Sequence, residues 1–226
     1  MKVNLVSFSQ AAPDFLTEHD LADADVQDLI AFCARVSNPS GQINTETSAK
    51  LIKYLIKHKH WSPLEMVSAC LEIETTRDIA RQILRHRSFS FQEFSQRYAD
   101  PTKDLKFETR SARLQDPKNR QNSVLVDDPL LETEWHNRQQ AVINLARDNY
   151  AWAIGQGIAK EQARAVLPEG NTVSRMYMNG TLRSWVHYIE LRGANGTQLE
   201  HMDIAHSCAK VIAQVFPLAN EMFEWT

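Results

Sequence analysis

The sequence predicts a single α+β domain over residues 1–226, with a short-stranded mixed or antiparallel sheet surrounded by helices. Three observations predict it. Strand signals occur only as short runs, near the N-terminus, before Thr76, at Ser123–Val126 and after Pro168. Apolar residues at helical spacing fill most of the remaining chain. No internal repeat, low-complexity tract or linker divides the 226 residues, a length that one core can serve.

Lys2–Phe8 alternates Val3, Leu5 and Phe8 with polar positions and reads as a strand. From Ala24 to Val36, residues Val26, Leu29, Ile30 and Cys33 fall at helical spacing until Asn38-Pro39-Ser40-Gly41 stops the pattern. A second helix is expected over Glu46–His58 through Leu51, Ile52, Leu55 and Ile56, broken by Ser62-Pro63. Val67–Ile73 is apolar enough for a strand. Thr76 stands as the N-cap of the next helix, with Asp78 in the first turn where the dipole favours negative charge. Ile79, Ala80, Ile83 and Leu84 share one face of it; Arg81, Gln82, Arg85 and His86 share the other. Continuation would swing Arg87 onto the apolar face, so the helix should end near His86 and Arg87 should lead into a loop.

Asp100–Asp128 is polar and broken by Pro101 and Pro117, with one strand candidate at Ser123–Val126. Excursions this long are usually functional lids or disordered segments. A helix is expected over Leu131–Gly155, a short one over Lys160–Ala165, and a strand over Asn171–Met178. Thr181–Arg192 is amphipathic: Leu182, Trp185, Val186 and Ile189 make its buried stripe, and Arg183 and His187 lie four apart on another face. Gly193 is placed for a left-handed stop. The last helix, Gln198–Phe216, buries Ile204, Cys208, Val211, Ile212 and Val215.

With 25 basic against 28 acidic residues, the chain lacks the net basic footprint of a protein that coats nucleic acid. The three cysteines, Cys33, Cys70 and Cys208, are scattered and odd in number, which points to a reduced, cytoplasmic setting. No secretory signal opens the sequence and no run is long enough for a membrane span, so neither nucleic acid nor membrane is expected as a partner.

The segment Arg85–Tyr98 carries the chemistry. It packs three arginines, three serines, a histidine and a carboxylate into fourteen residues. Guanidinium groups hold phosphate oxygens in a fork that lysine cannot reproduce. A basic cluster is more often a solvated face, but Phe89, Phe91, Phe94 and Tyr98 would be wasteful on one, and Arg81 and Gln82 precede it on the polar face of the helix. With only seven glycines the chain has neither a dinucleotide fingerprint nor a P-loop, so a bound nucleotide must rely on arginines. No metal is expected: His58, His60, His201, His206 and Cys208 match no zinc spacing, and most of these histidines read as ordinary surface or core residues. Ser95 sits in no Gly-x-Ser-x-Gly elbow, and a serine among arginines more often binds phosphate than attacks.

Arg85-His86-Arg87, seven residues and then Ser95 match the signature of the flavin-dependent thymidylate synthases, the thymidylate synthase-complementing family, which this sequence resembles. Gln82, Ser90, Glu93, Arg97 and Tyr98 fall where that family has the same residue types. Ala34-Arg35-Val36-Ser37, His60-x-Ser62-Pro63-Leu64-Glu65, Arg164-x-Val166-Leu167-Pro168 and Arg192-x-x-x-x-Thr197-Gln198-x-Glu200 are similar to further family elements in order, so the resemblance spans nearly the whole chain. Departures are Gln92 for Asn, Leu64 and Met66 for Phe and His, Thr181 for an Asn, and Thr197 for Ala.

The resemblance implies reductive methylation of dUMP to dTMP, with 5,10-methylenetetrahydrofolate as carbon donor and NADPH as reductant of FAD. It also implies a homotetramer with active sites shared between subunits. By resemblance, Gln82, Arg85, Ser90, Glu93, Ser95, Gln96, Arg97, Arg164 and Arg192 bind dUMP. His60, Ser62, Arg85, His86, Arg87, Glu93, Arg183 and His187 meet FAD, and Arg192 and Ser95 are the catalytic candidates. No cysteine lies in a matching motif, in keeping with a family that needs no cysteine nucleophile. The rival from another class is a non-catalytic RNA-binding module, whose salt-sensitive basic surface the acidic balance disfavours.

Overall fold

The computed structural model describes residues 1–222, so the last four residues of the expected 1–226 domain lie outside the described part. Four strands form one antiparallel sheet in the order β1 (Lys2–Phe8), β2 (Ser68–Thr76), β6 (Val173–Thr181) and β3 (Ser90–Glu93). Val6 is the extra residue of a bulge between β1 and β2, where the register shifts between Leu5 and Ser7. On β2 the period of two puts Ala69, Leu71 and Ile73 on the buried face. Met176 and Met178 of β6 share that face, while Glu72, Glu74, Arg175 and Tyr177 pair on the other.

Helices cover the apolar face. Between β1 and β2 lie α1 (Pro13–Glu18), α2 (Val26–Ala34) and α3 (Ser48–Lys57). Asp25 and Asp28 form a capping box at the start of α2. β2 runs straight into α4 (Arg77–Ile83), and β3 follows. The excursion holds one turn, α5 (Pro101–Asp104), and a hairpin of β4 (Arg113–Gln115) with β5 (Ser123–Leu125). Then come the long α6 (Pro129–Gly155), the short α7 (Lys160–Ala163), β6, α8 (Leu182–Gly193), α9 (Leu199–Ile212) and α10 (Ala219–Met222). Trp185 of α8 is fully buried and its indole N–H donates to the Ala69 carbonyl at 3.0 Å, tying the helix to β2. Gly180 makes room for the Phe89 ring: a Cβ there would lie 2.6 Å from Phe89 Cε1.

Several expectations need correction. α4 ends at Ile83, three residues before His86, because the Arg85 and His86 amides close a turn onto the Gln82 and Ile83 carbonyls. Thr76 occupies the N-cap position but its hydroxyl caps no amide; it donates to Asp78 Oδ1 at 2.7 Å. The loop expected after Arg87 contains β3, paired to β6 from Ser90↔Asn179 to Glu93↔Met176. Gly193 is not left-handed; the positive-φ glycines are Gly157 and Gly196. β2 and β6 each extend three residues further towards the C-terminus than predicted, and α9 stops at Ile212. The excursion is tied down: Arg110 Nη2 donates to both Asp78 oxygens at 2.6 and 2.7 Å, and Arg113 pairs with Glu200. Among the described residues no helix is long and apolar enough to cross a membrane, and no group of three or more His, Cys, Asp and Glu is placed to hold a metal.

Candidate active site

The end of α4 presents the cationic turn. Arg85 and Arg87 are exposed and have no ion pair or side-chain hydrogen bond among the described residues. His86 between them turns inward, its ring 4.9 Å from the Tyr188 ring in an edge-to-face contact. Arg192, in the last turn of α8, donates through Nε to His86 Nε2 at 2.9 Å. His86 Nε2 must therefore be the unprotonated nitrogen. Burial, then the charges of Arg192 and Arg85, push this imidazole down to about 4. The guanidinium of Arg192 is thus the cation of this pair, and its two terminal nitrogens have no partner among the described residues.

Gln82 joins the same group from the polar face of α4. Its Oε1 faces His201 Nδ1 at 3.2 Å and its Nε2 donates to Gln198 Oε1 at 2.8 Å. Beyond β3 the chain turns sharply at Ser95, whose carbonyl accepts from the Tyr98 and Ala99 amides and whose Oγ accepts from the Arg97 amide at 3.4 Å. That turn brings Arg97 to α7: its Nε lies 3.4 Å from Glu161 Oε2, and Arg164 Nε donates to the Glu161 carbonyl at 3.3 Å. Lys160 Nζ donates to the Tyr98 carbonyl at 2.9 Å and locks the two segments together. Two arginines far apart in sequence thus gather around one residue.

Glu93 is already engaged. It accepts from Ser174 Oγ at 2.8 Å and from Arg81 at 3.1 Å, with Arg77 at 3.5 Å. Ser90 is exposed on β3. Gln96 is buried, and its Nε2 has no hydrogen-bond partner among the described residues, an unmet donor of the kind that a ligand commonly satisfies. On the outer face of α8, Arg183 pairs with Glu65 and His187 packs edge-on against Trp61 at 4.4 Å. Those contacts bring the turn carrying Ser62 to α8. His60, exposed beside it, follows Lys59 in a left-handed conformation (φ 60°).

Nine of the predicted residues therefore form three groups (Gln82, His86 and Arg192; Ser95, Arg97 and Arg164; Ser62, Arg183 and His187), while among the described residues Arg85, Arg87, Ser90, Glu93, Gln96 and His60 make no side-chain hydrogen bond or ion pair to any of them. Among the described residues, no side-chain hydrogen bond or ion pair joins one group to another. Sequence reasoning missed Tyr188, His201 and Arg113, which brace the first group. The available signal was His201 itself, a polar residue three positions before Ile204 and seven before Cys208 on the buried stripe of α9.

An antiparallel α+β domain with unpaired arginines at a helix end, an unmet buried amide donor and no glycine-rich phosphate loop offers side chains, and not a backbone cradle, to an anion. The chain belongs to the family described as thymidylate synthase complementing protein, whose model matches residues 19–218. It is 47% identical over 199 residues to a probable flavin-dependent thymidylate synthase of Paramecium bursaria Chlorella virus 1, covering 88% of this chain and 91% of that protein. It is 48% identical over 198 residues to the flavin-dependent thymidylate synthase of Synechocystis, covering 87% and 89%. Among solved structures, the UMP/dUMP methylase PolB from Streptomyces cacaoi bound with 5-Br UMP superposes with a TM-score of 0.79 at 25% identity, over 98% of this chain and 92% of that one.

Proposed function

We propose that this chain converts dUMP to dTMP as a flavin-dependent thymidylate synthase, with 5,10-methylenetetrahydrofolate as carbon donor and NADPH as reductant. The observation that carries the reading is the turn Arg85-His86-Arg87, with two exposed, unpaired guanidinium groups flanking an imidazole bonded to Arg192. The near-half identity to relatives bearing that name supports it along most of the chain.

The residues present fit a flavin dinucleotide. A diphosphate calls for cationic forks, which the exposed, unpaired Arg85 and Arg87 offer. Arg85, His86, Arg87, Arg183 and His187, with His60, Ser62 and Glu93, would hold FAD. When bound, FAD carries the reducing equivalents taken from NADPH.

Arg97 and Arg164, with Ser90, Ser95 and Gln96, would take the phosphate end of dUMP; Gln82 and Arg192 would meet its base. A fixed guanidinium beside the pyrimidine stabilises negative charge that develops on the ring during attack. With its imidazole neighbour neutral near pH 7, Arg192 keeps that charge without a competing cation in contact. Glu93, its carboxylate engaged by Ser174, Arg81 and Arg77, would bear on the ligands through those contacts. The three groups would be completed across subunits of a homotetramer, the whole 1–226 chain acting as one domain in the cytoplasm.

The test is anaerobic NADPH oxidation by FAD-supplemented protein with methylenetetrahydrofolate, with and without dUMP, followed by assay of dTMP. Oxidation that depends on dUMP and ends in dTMP is the expected result. Oxidation without dTMP would leave a flavoenzyme with another acceptor, and neither flavin binding nor oxidation would sink the enzyme reading.

A further inference from the structure

Tyr188 and His201 are buried polar side chains, 1% and 0% exposed, that the proposed reaction does not use. They stand between α8, α9 and the end of α4, and their hydrogen bonds have one direction. Gln82 Oε1 can only accept, so the proton of His201 must sit on Nδ1. Nε2 is then bare and accepts from the Tyr188 hydroxyl, 3.1 Å away. Burial raises the Tyr188 pKa well above its usual value, which keeps that donor protonated. Burial, with Arg192 and His86 adding to it, lowers His201 to about 3, which keeps the ring neutral.

The chain continues past Gln82. Its Nε2 donates to Gln198 Oε1 at 2.8 Å, Gln198 Nε2 donates to Glu200 Oε2 at 2.9 Å, and Glu200 Oε1 receives Arg113 from the β4 strand. Every donor from Tyr188 to Gln198 points towards the Glu200 carboxylate. A flipped Gln82 amide would set oxygen against oxygen at Gln198 and, by forcing the other His201 tautomer, would take from the buried Tyr188 hydroxyl the acceptor of its proton. The relay therefore leaves Gln82 one N–H and one carbonyl lone pair in a single handedness.

We propose that His201, oriented by Tyr188, is a positioning residue that fixes the carboxamide of Gln82 for recognition of the pyrimidine ring of the nucleotide. The proposal rests on reading Gln82 as a dUMP contact. An amide without that hydrogen bond would offer donor and acceptor to the base in either order, and each binding event would have to order it again.

The test measures dUMP binding by calorimetry, and KM and kcat for dUMP, on full-length FAD-loaded protein. His201→Leu removes the donor, and the dUMP Kd and KM should rise about tenfold, the effect of one lost hydrogen bond at the upper end of the neutral range, with kcat changed far less. His201→Asn sets an amide N–H near the place of Nδ1 and should stay within about threefold of the parent. Tyr188→Phe releases the other tautomer and should fall between them. Equal impairment in His201→Asn and His201→Leu would overturn the proposal, because packing and not the donor would then matter. An unchanged dUMP Kd in both Tyr188→Phe and His201→Leu would overturn it too, and where His201→Leu fails to fold an unchanged Kd in Tyr188→Phe alone would do so. Gln82→Leu separates the two failures. If it leaves dUMP binding unchanged, the nucleotide role of Gln82 falls and the proposal with it; if it weakens binding while the His201 and Tyr188 variants do not, the relay alone falls.

Discussion

Arg97→Ala separates ligand binding from folding by a margin that the structure allows to be worked out. The Arg97 side chain is 56% exposed and its partner Glu161 51%, at 3.4 Å. An exposed pair of this kind contributes about 0–1 kcal/mol. For a chain of this length 1 kcal/mol moves the melting temperature by about 2–4 °C, so removal should lower Tm by no more than about 4 °C. A guanidinium bonded to phosphate is a charge-assisted contact worth about 1.5–3 kcal/mol, or a rise of roughly 10- to 100-fold in the dUMP Kd. Arg97→Lys keeps the charge and loses the fork, so it should recover only part of the affinity. Glu161→Gln should leave the Kd unchanged or lower it, since it frees Arg97. Calorimetric titration of dUMP into FAD-loaded protein, flavin absorbance after gel filtration and a melting curve provide the three readouts. A dUMP Kd within about twofold of the parent, or loss of flavin in step with loss of dUMP, would refute the division of the arginines between the two ligands.

Gly180→Ala should destabilise the protein by about 1–3 kcal/mol, read as a fall of roughly 2–10 °C in Tm, because the new methyl meets the Phe89 ring with Trp185 packed behind it; combination with Phe89→Leu should restore part of the loss, and an unchanged Tm would show that the turn relaxes freely. Stability should also decline as pH falls from about 6.5 towards 4. His86 and His201 have folded pKa values of about 4 and about 3 against 6.5 when unperturbed, so in that window the unfolded chain binds more protons and is favoured. Above 6.5 both states are neutral at these rings and the contribution is complete. Melting curves between pH 5 and 7 (a range in which ordinary carboxylates scarcely titrate) should show a shallower slope for His86→Asn than for the parent, and parallel slopes would contradict the assignment.

Much of the fold was legible because burial leaves a period. α8 and α9 show their stripes in sequence, and the structure buries Leu182, Trp185, Val186 and Ile189 as those stripes require. The strand ends were harder. β2 continues through Glu74, Thr75 and Thr76 because Arg175 and Ser174 stand opposite on β6, and a cross-strand partner a hundred residues away leaves no local mark. β3 has four residues at the edge of the sheet, none of them fully buried, so its alternation is too short and too polar to separate from a loop. α1 has six residues and half-buries only Phe15 and Leu16, side by side in sequence, too few to set a helical period.

For the site, arginine content pointed to an anion, but only pairing tells which arginines remain available. The chain has 28 acidic residues to 25 basic, so most cations can find a carboxylate. Arg77 and Arg81 share Glu93 and Glu169; Arg110 has Asp78, Arg113 has Glu200 and Arg175 has Glu74. Arg85 and Arg87 have none, although Glu93 stands within eight positions of both. Helix geometry accounts for the difference: Arg81 lies one turn nearer the start of α4, where Glu93 at the end of β3 returns beside it, while Arg85 and Arg87 lie past the helix end. The same carboxylate that the sequence placed among the ligand contacts therefore neutralises the neighbouring arginines and leaves the Arg-His-Arg turn as the locally uncompensated charge. A solvated face would show the opposite pattern, with exposed arginines paired or interspersed with acids. An uncompensated turn is what an incoming phosphate or diphosphate can neutralise, and that is the physical ground on which the proposed binding role of the charged segment stands.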